Sequence, residues 1–455
     1  MKVIKIGGGC LKDGPAAGKI IKLISKRGEG DVFVLSAFYG VTNILIAGIQ
    51  KALENEDTIP SVISKLKSLH HTIIKSLIDD GNKRKQLSKD LSKIFQELER
   101  YYFGISFTRE ATPRMKDMIA TYGERISAVI LSKSLSSMGK QSCCLLPEDA
   151  GIITDGKFMD ASAIMSKTSK NLTAALDSII TPQKIVFIPG FYGISESGDI
   201  TTFGRGGSDY SAAVVAASIN AEVLEIWKDT QGFMTADPDN IPHCKLIPKL
   251  TYEEAAELSY TGAGILHPRT VEPVKKAGIS IAIKNTYNPD AKGSLITKNA
   301  HTANKIIKSV SYTADIAVLK IYASGIGARF GILSQITENL TSSGINIRSV
   351  VTSQTCISLL LSRKDIEMGH QSIKKIRPRP FEKSSIVTDV ALVSIVGEGL
   401  QNNRGVAAKC FTAVSDANVN IEMISFGTST AALYFLIHED KLDTTINVLH
   451  DIFFD

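Results

Sequence analysis

Long apolar runs are missing from this 455-residue chain: no stretch of about 18 consecutive apolar residues occurs, which argues against a membrane-spanning helix. Metal-ligand cysteine spacing is missing as well. The six cysteines, at positions 10, 143, 144, 244, 356 and 410, are scattered and read as reduced, small apolar residues. Nor is there a basic run. The formal net charge of +6 is dispersed over 52 Lys and Arg against 46 Asp and Glu, without aromatic–basic interleaving, so nucleic acid is not an expected partner. The start MKVIKIGGG lacks a leader layout and enters a strand at once, so the cytoplasm is the expected compartment. What remains, 44% hydrophobic and 22% charged, is the composition of a globular protein of two to four domains.

Glycine is not abundant, but it is clustered at two informative places. The stretch Thr201–Pro242 opens with Phe203-Gly204-Arg205-Gly206-Gly207-Ser208-Asp209 and runs into Tyr210–Ile219, an Ala- and Val-rich segment that reads as a buried helix. A glycine turn feeding a helix N-terminus offers free N–H groups and the positive end of the helix dipole to an anion. Arg205 adds a planar fork for carboxylate or phosphate, while Asp209 adds a negative charge that makes sense if a cation is held too. Ala221–Trp227 then alternates like a strand, and Lys228-Asp229-Thr230-Gln231-Gly232 turns. A second glycine turn, Gly7-Gly8-Gly9, follows the strand Val3–Ile6 with Lys5 just before it. Two such turns can face one polyphosphate from either side.

Strands and helices alternate over the first three hundred residues. Lys2–Ile6 and Val32–Ser36 flank the amphipathic helix Ala16–Ser25, and Ser36–Asn43 is a strand-to-helix loop rich in hydroxyls. Residues 50–110 form a polar helical excursion broken at Asp79–Asn82, and Met115–Met138 reads as one long helix carrying Glu124. Further strands are expected at Ser142–Leu146, Ile185–Pro189, Val223–Trp227 and Ile279–Lys284. This order predicts a mostly parallel, helix-covered sheet with ligands at its carboxyl edge, near Lys5, Ser36, Gly190 and Asp229. After a seam at Asn299–Asn304 comes an internal repeat, Gly331–Ile347 on Gly405–Ile421, each copy a ferredoxin-like βαββαβ pattern. The second copy ends without a sixth strand, and Ile306–Tyr312 is the available donor.

The two glycine turns, Gly123-Glu124-Arg125, the Trp227–Pro238 segment and Gly262-Ala263-Gly264-Ile265-Leu266-His267-Pro268 together resemble the aspartokinases of the amino-acid kinase family over nearly the whole chain. The resemblance implies an α/β fold: an amino-acid-kinase-like three-layer sandwich with a mainly parallel sheet, followed by two ferredoxin-like ACT domains. It implies residues 1–300 as catalytic domain, 301–312 as linker and donated strand, and 313–390 and 391–455 as the ACT domains. The implied reaction is transfer of the ATP γ-phosphoryl to the β-carboxylate of L-aspartate, the first step of lysine, threonine and methionine biosynthesis.

By the same resemblance Lys5 contacts the nucleotide phosphates, with Gly7 and Gly8 donating N–H groups, and Asp209 orients Lys5. Arg205 takes the α-carboxylate of aspartate and Glu124 its ammonium, with Ser36, Thr42 and Ser208 as hydroxyl contacts. Gly206, Gly207, Lys228, Asp229, Thr230, Met234, Asp237 and Pro238 complete the nucleotide site. Mg²⁺ enters with ATP, keeping waters and phosphates as ligands, and no protein metal site is expected. An amino-acid effector, lysine or threonine, is implied near Ile326, Gly331, Asn346, Ile347 and Thr352, with assembly into a homodimer or larger through the ACT domains.

Several positions depart from the family pattern. Gly9-Cys10 stands where Thr-Ser is usual, Gly264 where lysine is frequent, Met234 where a larger residue is common, and Arg348 where an acidic residue often follows Asn-Ile. These leave two other readings open: a degenerate kinase serving as amino-acid sensor or partner subunit, and another carboxylate kinase of the same fold.

Overall fold

A computed structural model describes residues 1–262, 264–299, 306–326 and 329–454. Ala263 of the Gly262–Pro268 motif, residues 300–305 of the seam and linker, Gly327 and Ala328 of the effector loop, and Asp455 lie outside the described residues. The chain forms two compact units. The first comprises Met1–Phe233, Leu246–Ala256 and Gly264–Ala300, and the second Met234–Lys245, Glu257–Ala263 and His301–Asp455. Two stretches inside the first three hundred residues therefore pack with the C-terminal part, which a boundary drawn along the sequence does not show.

The strands of the first unit are β1 (Val3–Ile6), β2 (Val32–Leu35), β3 (Ser142–Cys144), β4 (Ile153–Thr154), β5 (Ile185–Pro189), β6 (Tyr192–Ser195), β7 (Ile200–Thr202), β8 (Leu224–Lys228), β9 (Lys249–Thr251), β10 (Ile281–Asn285) and β11 (Ser294–Thr297). The helices that accompany them are α1 (Gly14–Arg27), α2 (Val41–Glu54), α3 (Ile59–Leu77), α4 (Gly81–Thr108), α5 (Pro113–Ala120), α6 (Tyr122–Ser137), α7 (Pro147–Ala150), α8 (Met165–Asp177), α9 (Gly207–Ser218), α10 (Tyr252–Tyr260), whose residues from Glu257 onward belong to the second unit, and α11 (Val271–Ala277). Eight strands make one sheet, β3-β5-β2-β1-β8-β10-β11-β9, parallel throughout except between β10 and β11. Every residue of β1, β2 and β5 is buried, the pattern of parallel strands covered on both faces. The pairs Ile6↔Leu35, Ile6↔Trp227 and Leu35↔Pro189 bring the carboxyl ends of β1, β2, β5 and β8 level, so their loops leave one edge together.

The helical excursion buries one stripe of each helix. Leu45 of α2, Ile63 and Leu66 of α3, and Phe95, Leu98 and Tyr102 of α4 belong to one core, and the Tyr102 hydroxyl donates to the Leu45 carbonyl at 2.9 Å. The break at 79–82 is a helix cap, since the Asp80 carboxylate accepts from the Asn82 and Lys83 amides. Met115–Met138 is not one helix. It divides at Thr121, whose amide is shared between the Asp117 and Met118 carbonyls at 3.3 Å each. Strands β4, β6 and β7 form a small separate sheet that the sequence reading did not anticipate, because two to four residues are too few to show a period.

The second unit contains β12 (Ser309–Thr313), β13 (Ala317–Tyr322), α12 (Ile332–Ser342), β14 (Ile347–Thr352), β15 (Cys356–Leu361), α13 (Ile366–Lys374), β16 (Lys383–Val387), β17 (Val390–Val396), α14 (Val406–Asp416), β18 (Ile421–Ser425), β19 (Ala432–His438) and α15 (Leu442–Phe454). Its sheets run β14-β15-β13-β16 and β12-β17-β19-β18. Strand β12, which precedes the first repeat, pairs antiparallel with β17 of the second, from Ser309↔Val396 to Thr313↔Leu392. The two sheets do not join at an edge. Alternation places Leu319, Ile321, Leu359 and Leu361 under the helices of the first repeat, and Val393, Ile395, Phe435 and Ile437 under those of the second. The intervening Val318, Leu360, Leu392 and Leu436 pack together from the opposite faces.

The donated strand carries Val310, fully buried in the core of the second repeat. Val310→Asp places an unpaired charge there and lowers stability by on the order of 3 kcal/mol or more. Thermal or urea unfolding of the full chain checks this.

Candidate active site

Three charged side chains converge at the carboxyl edge of the parallel sheet. Lys5 comes from β1, Asp209 from the first turn of α9 and Lys228 from the end of β8. The Lys5 Nζ lies 2.5 Å from Asp209 Oδ1, with both side chains less than a tenth exposed, and Lys228 Nζ lies 3.5 Å from Asp209 Oδ2. Burial alone would raise the Asp209 pKa, but Lys5 and then Lys228 outweigh it and hold the carboxyl below its ordinary value. Lys228 is pulled down, first by burial and partly by the repulsion of Lys5, against the support of Asp209. The trio carries two cations against one anion, an excess positive charge in a site largely closed to water.

Helix α9 begins at Gly207, three residues earlier than the sequence suggested, so Gly207, Ser208 and Asp209 all lie in its first turn. Gly206 caps it with φ +72°. A Cβ there would be strained by that backbone and would lie 2.3 Å from Cβ of His267. Arg205 stands exposed beside it and makes no hydrogen bond or ion pair with the described residues. Gly264, where the family often carries lysine, instead offers its carbonyl to Lys228 Nζ at 3.4 Å.

The N-terminal glycine turn differs from its expected role in one respect. The amide of Gly7 donates to the Trp227 carbonyl at 3.1 Å, extending the β1–β8 ladder, and is not available to a phosphate. Gly8–Leu11 forms a 3₁₀ turn whose leading amides, Gly8 and Gly9, are the donors that remain. Cys10 is buried, its thiol donating to the Trp227 carbonyl at 3.4 Å, and burial raises its pKa. A Cβ on Gly9 would come 3.0 Å from the Asp229 carboxylate, so the loss of a side chain at position 9 makes room for Asp229. Asp229 pairs with Lys12 at 3.2 Å, and Thr230 follows it, exposed.

Glu124 lies on α6, fully enclosed. Gly123 permits this, because a Cβ there would meet that of Ala37 at 2.7 Å and force the helix off the β2 loop. One Glu124 oxygen has a long contact of 3.5 Å from the Ser208 hydroxyl, and the other, Oε2, is buried without a hydrogen-bond partner. Burial pushes the carboxyl up to about 8, against the lowering pull of the Ala37 and Glu124 amides, Lys5 and Ser208. Ser36 and Thr42, half-buried, flank Ala37 at the end of β2 and in the first turn of α2.

Met234, Asp237 and Pro238 belong to the second unit. There Met234 O accepts from the Ser309 hydroxyl, and the Asp237 carbonyl accepts from the Asn240 and Ile241 amides. Of the expected effector residues, Ile326 donates its amide to Gln354 O, Gly331 caps α12, Asn346 precedes β14, and Ile347 and Thr352 are its first and last residues. Arg348 binds Asp315 through both guanidinium branches, to the carboxylate at 2.5 Å and the carbonyl at 2.6 Å.

Arg269 was missed from the sequence, where it is one arginine among many. Its guanidinium donates to Asp160, Ala161, Ser162 and Phe203 and stacks over Tyr210, clamping the chain ahead of the second glycine turn onto α9. Asp117, equally unforeseen, accepts from Thr202 and Met159 amides and the Thr202 hydroxyl, fixing β7.

The profile of the Amino acid kinase family matches residues 1–285, well over half of the chain. The chain belongs to the amino acid kinase family. An ACT domain profile matches residues 393–453 of this kinase, within the second repeat. It is 33% identical over 352 residues to an aspartokinase of Corynebacterium glutamicum, covering 75% of this chain and 81% of that protein, which places it among the aspartokinases. It is 28% identical to a bifunctional aspartokinase/homoserine dehydrogenase of Haemophilus influenzae, matching along its whole length but spanning 57% of that longer protein. Its fold is that of E. coli aspartokinase III in complex with aspartate and ADP, with a TM-score of 0.84 at 21% identity, all of both chains being covered.

The Glu124 carboxyl fixes a pH dependence for this amino acid kinase. A folded-state pKa near 8 lies above the ordinary 4.5, so the unfolded chain loses the proton first. Stability therefore falls as pH rises from about 4.5 to about 8, by a few kcal/mol for a group so buried. Glu124→Gln flattens that slope and is more stable than the parent at pH 8. Urea unfolding of both proteins across this range measures it.

Proposed function

We infer that this chain is an aspartate kinase, moving the γ-phosphoryl of ATP to the β-carboxylate of L-aspartate and releasing ADP and 4-phospho-L-aspartate. The observation that carries the reading is the buried Lys5–Asp209–Lys228 cluster beside an enclosed Glu124 whose Oε2 lacks a partner. Joining a carboxylate to a phosphoryl brings two anions together, so the work is positioning and charge neutralisation. Lys5 neutralises the transferring phosphoryl, Asp209 keeps its ammonium aimed, and Lys228 adds the second cation. The α9 N-terminus at Gly206–Ser208 and the free amides of Gly8 and Gly9 supply neutral donors. Asp229 and Thr230 take the ribose side of the nucleotide, and Mg²⁺ arrives as part of the MgATP substrate.

Aspartate has two handles besides its reacting carboxylate. The unmatched Glu124 oxygen suits the ammonium, and exposed, unpaired Arg205 suits the α-carboxylate, with Ser36, Thr42 and Ser208 as hydroxyl contacts. Regulation by an amino acid such as lysine or threonine, assembly through the C-terminal repeats and residence in the cytoplasm follow from the same kinship. The sensor reading gains from the Gly7 amide and Cys10 thiol, both spent on Trp227 rather than offered to a phosphate.

An ADP-release assay with aspartate, glutamate, N-acetylglutamate and UMP separates these readings. Turnover with aspartate alone is the expected result. Aspartate binding without turnover of any acceptor replaces the kinase with the sensor. In the active enzyme, Lys5→Ala lowers kcat by about a hundredfold or more, as loss of a cation at a developing charge does. Arg205→Ala raises the aspartate KM by roughly tenfold to a hundredfold, for a charged hydrogen bond of about 1.5–3 kcal/mol, and leaves the ATP KM unchanged. Equal effects on both KM values reassign Arg205 to the nucleotide.

A further inference from the structure

In the second unit, His243, His450 and Asp451 bring two ring nitrogens and a carboxylate oxygen within 4.8 Å of one another. His243 lies far along the chain from the adjacent pair His450 and Asp451, so no spacing announces the group. His450, on α15, is fully buried and its ring is held from several sides. Nε2 shares a hydrogen bond of 3.0 Å with the Thr235 hydroxyl, Phe454 packs at 4.9 Å, and His243 meets it edge-on at 5.3 Å and 80°. His243 stands on a turn that is itself pinned. The Cys244 amide donates to Ile241 O, Ile241 is fully buried, and the Lys245 amide donates to Thr235 Oγ1 at 2.9 Å. The same turn is tied to α15 by Asn240–Asp443 at 2.9 Å and by Lys245 Nζ to Phe454 O at 3.4 Å.

We propose that His243, His450 and Asp451 form a binding site for a borderline divalent cation of the zinc class, which ties the Met234–Lys245 segment to α15. Two imidazoles and one carboxylate form a ligand set that Zn²⁺, Co²⁺ and Ni²⁺ accept, leaving a fourth position for water, whereas Mg²⁺ prefers oxygen ligands throughout. Thr235 on Nε2 holds the ring in place, as an outer-shell partner does for a ligating histidine. Its oxygen has lone pairs for both Nε2–H and the Lys245 amide. Bonds of about 2.0 Å in a tetrahedral site bring ligand atoms roughly 3.3 Å apart. His243 and Asp451 are exposed and free to close that gap around the one buried, fixed ring.

The test uses the full chain without an affinity tag, stripped with chelator and titrated with ZnCl₂, with MgCl₂ as the contrasting probe. Calorimetry and the thermal midpoint are read together. One equivalent of Zn²⁺ binds and raises the midpoint, and Mg²⁺ does neither. His243→Ala and Asp451→Asn each weaken Zn²⁺ by at least about tenfold, the loss seen when even an outer-shell partner is removed. Asp451→Asn leaves the metal-free midpoint unchanged, because that side chain faces solvent, while His243→Ala also loses the edge-on contact with His450 and is read by its Zn²⁺ affinity. Zn²⁺ binding of equal strength in parent and His243→Ala overturns the proposal, as does the absence of stoichiometric binding below about 0.1 mM, since a site so weak adds little to folding.

Discussion

The ion pair of Lys5 with Asp209 sets what the first unit has to be. Two charges withdrawn from water cost several kcal/mol each, and their attraction offsets this only when the partners are held at short range. The fold supplies that hold from two directions. Lys5 rides a strand buried on both faces, and Asp209 lies in the opening turn of a helix whose start is fixed by a left-handed glycine against His267. Arg269 and Asp117 then fasten the backbone ahead of that glycine turn, and Arg269 also stacks on Tyr210 beyond it, so the clamps missed in the sequence are the ones that keep the pair in register. With Lys228 included, the cluster keeps a residual positive charge.

Much of this was legible because a lysine or an aspartate set beside a run of glycines is a distinctive pattern at a strand end. A lysine two residues before three glycines, and an aspartate two residues after two more, are local patterns that need no knowledge of distant contacts. Glu124 was legible only through the Gly123-Glu124 motif around it, since a lone helical glutamate marks nothing. Other features were illegible for a shared reason. The commitment of the Gly7 amide depends on the register of β1 against β8, and the grouping of Met234–Lys245 on core residues far along the chain. No window along the chain contains these partners.

The second unit shows how period two can be read twice. In most half-buried strands one face meets solvent, yet β13, β15, β17 and β19 alternate between two apolar sets, one beneath helices and one between sheets. Their sequences look uniformly hydrophobic for this reason, and alternation by itself could not say which face belonged to which layer. Among the described residues the edge strands β14, β16 and β18 are the more exposed ones.

Because β12 precedes the first repeat yet completes the sheet of the second, the two repeats are nested in the chain and not laid end to end. Genetically, the first is an insert inside the second. A crossover or protein fusion cut between them at position 389 would give neither parent a whole second repeat, although an alignment would show two complete modules. An exchange made at 314 and 389 would carry away one repeat and leave the other intact. Recombination that respects this nesting can vary one repeat alone, so the pair can diverge in sequence while remaining a single folded body.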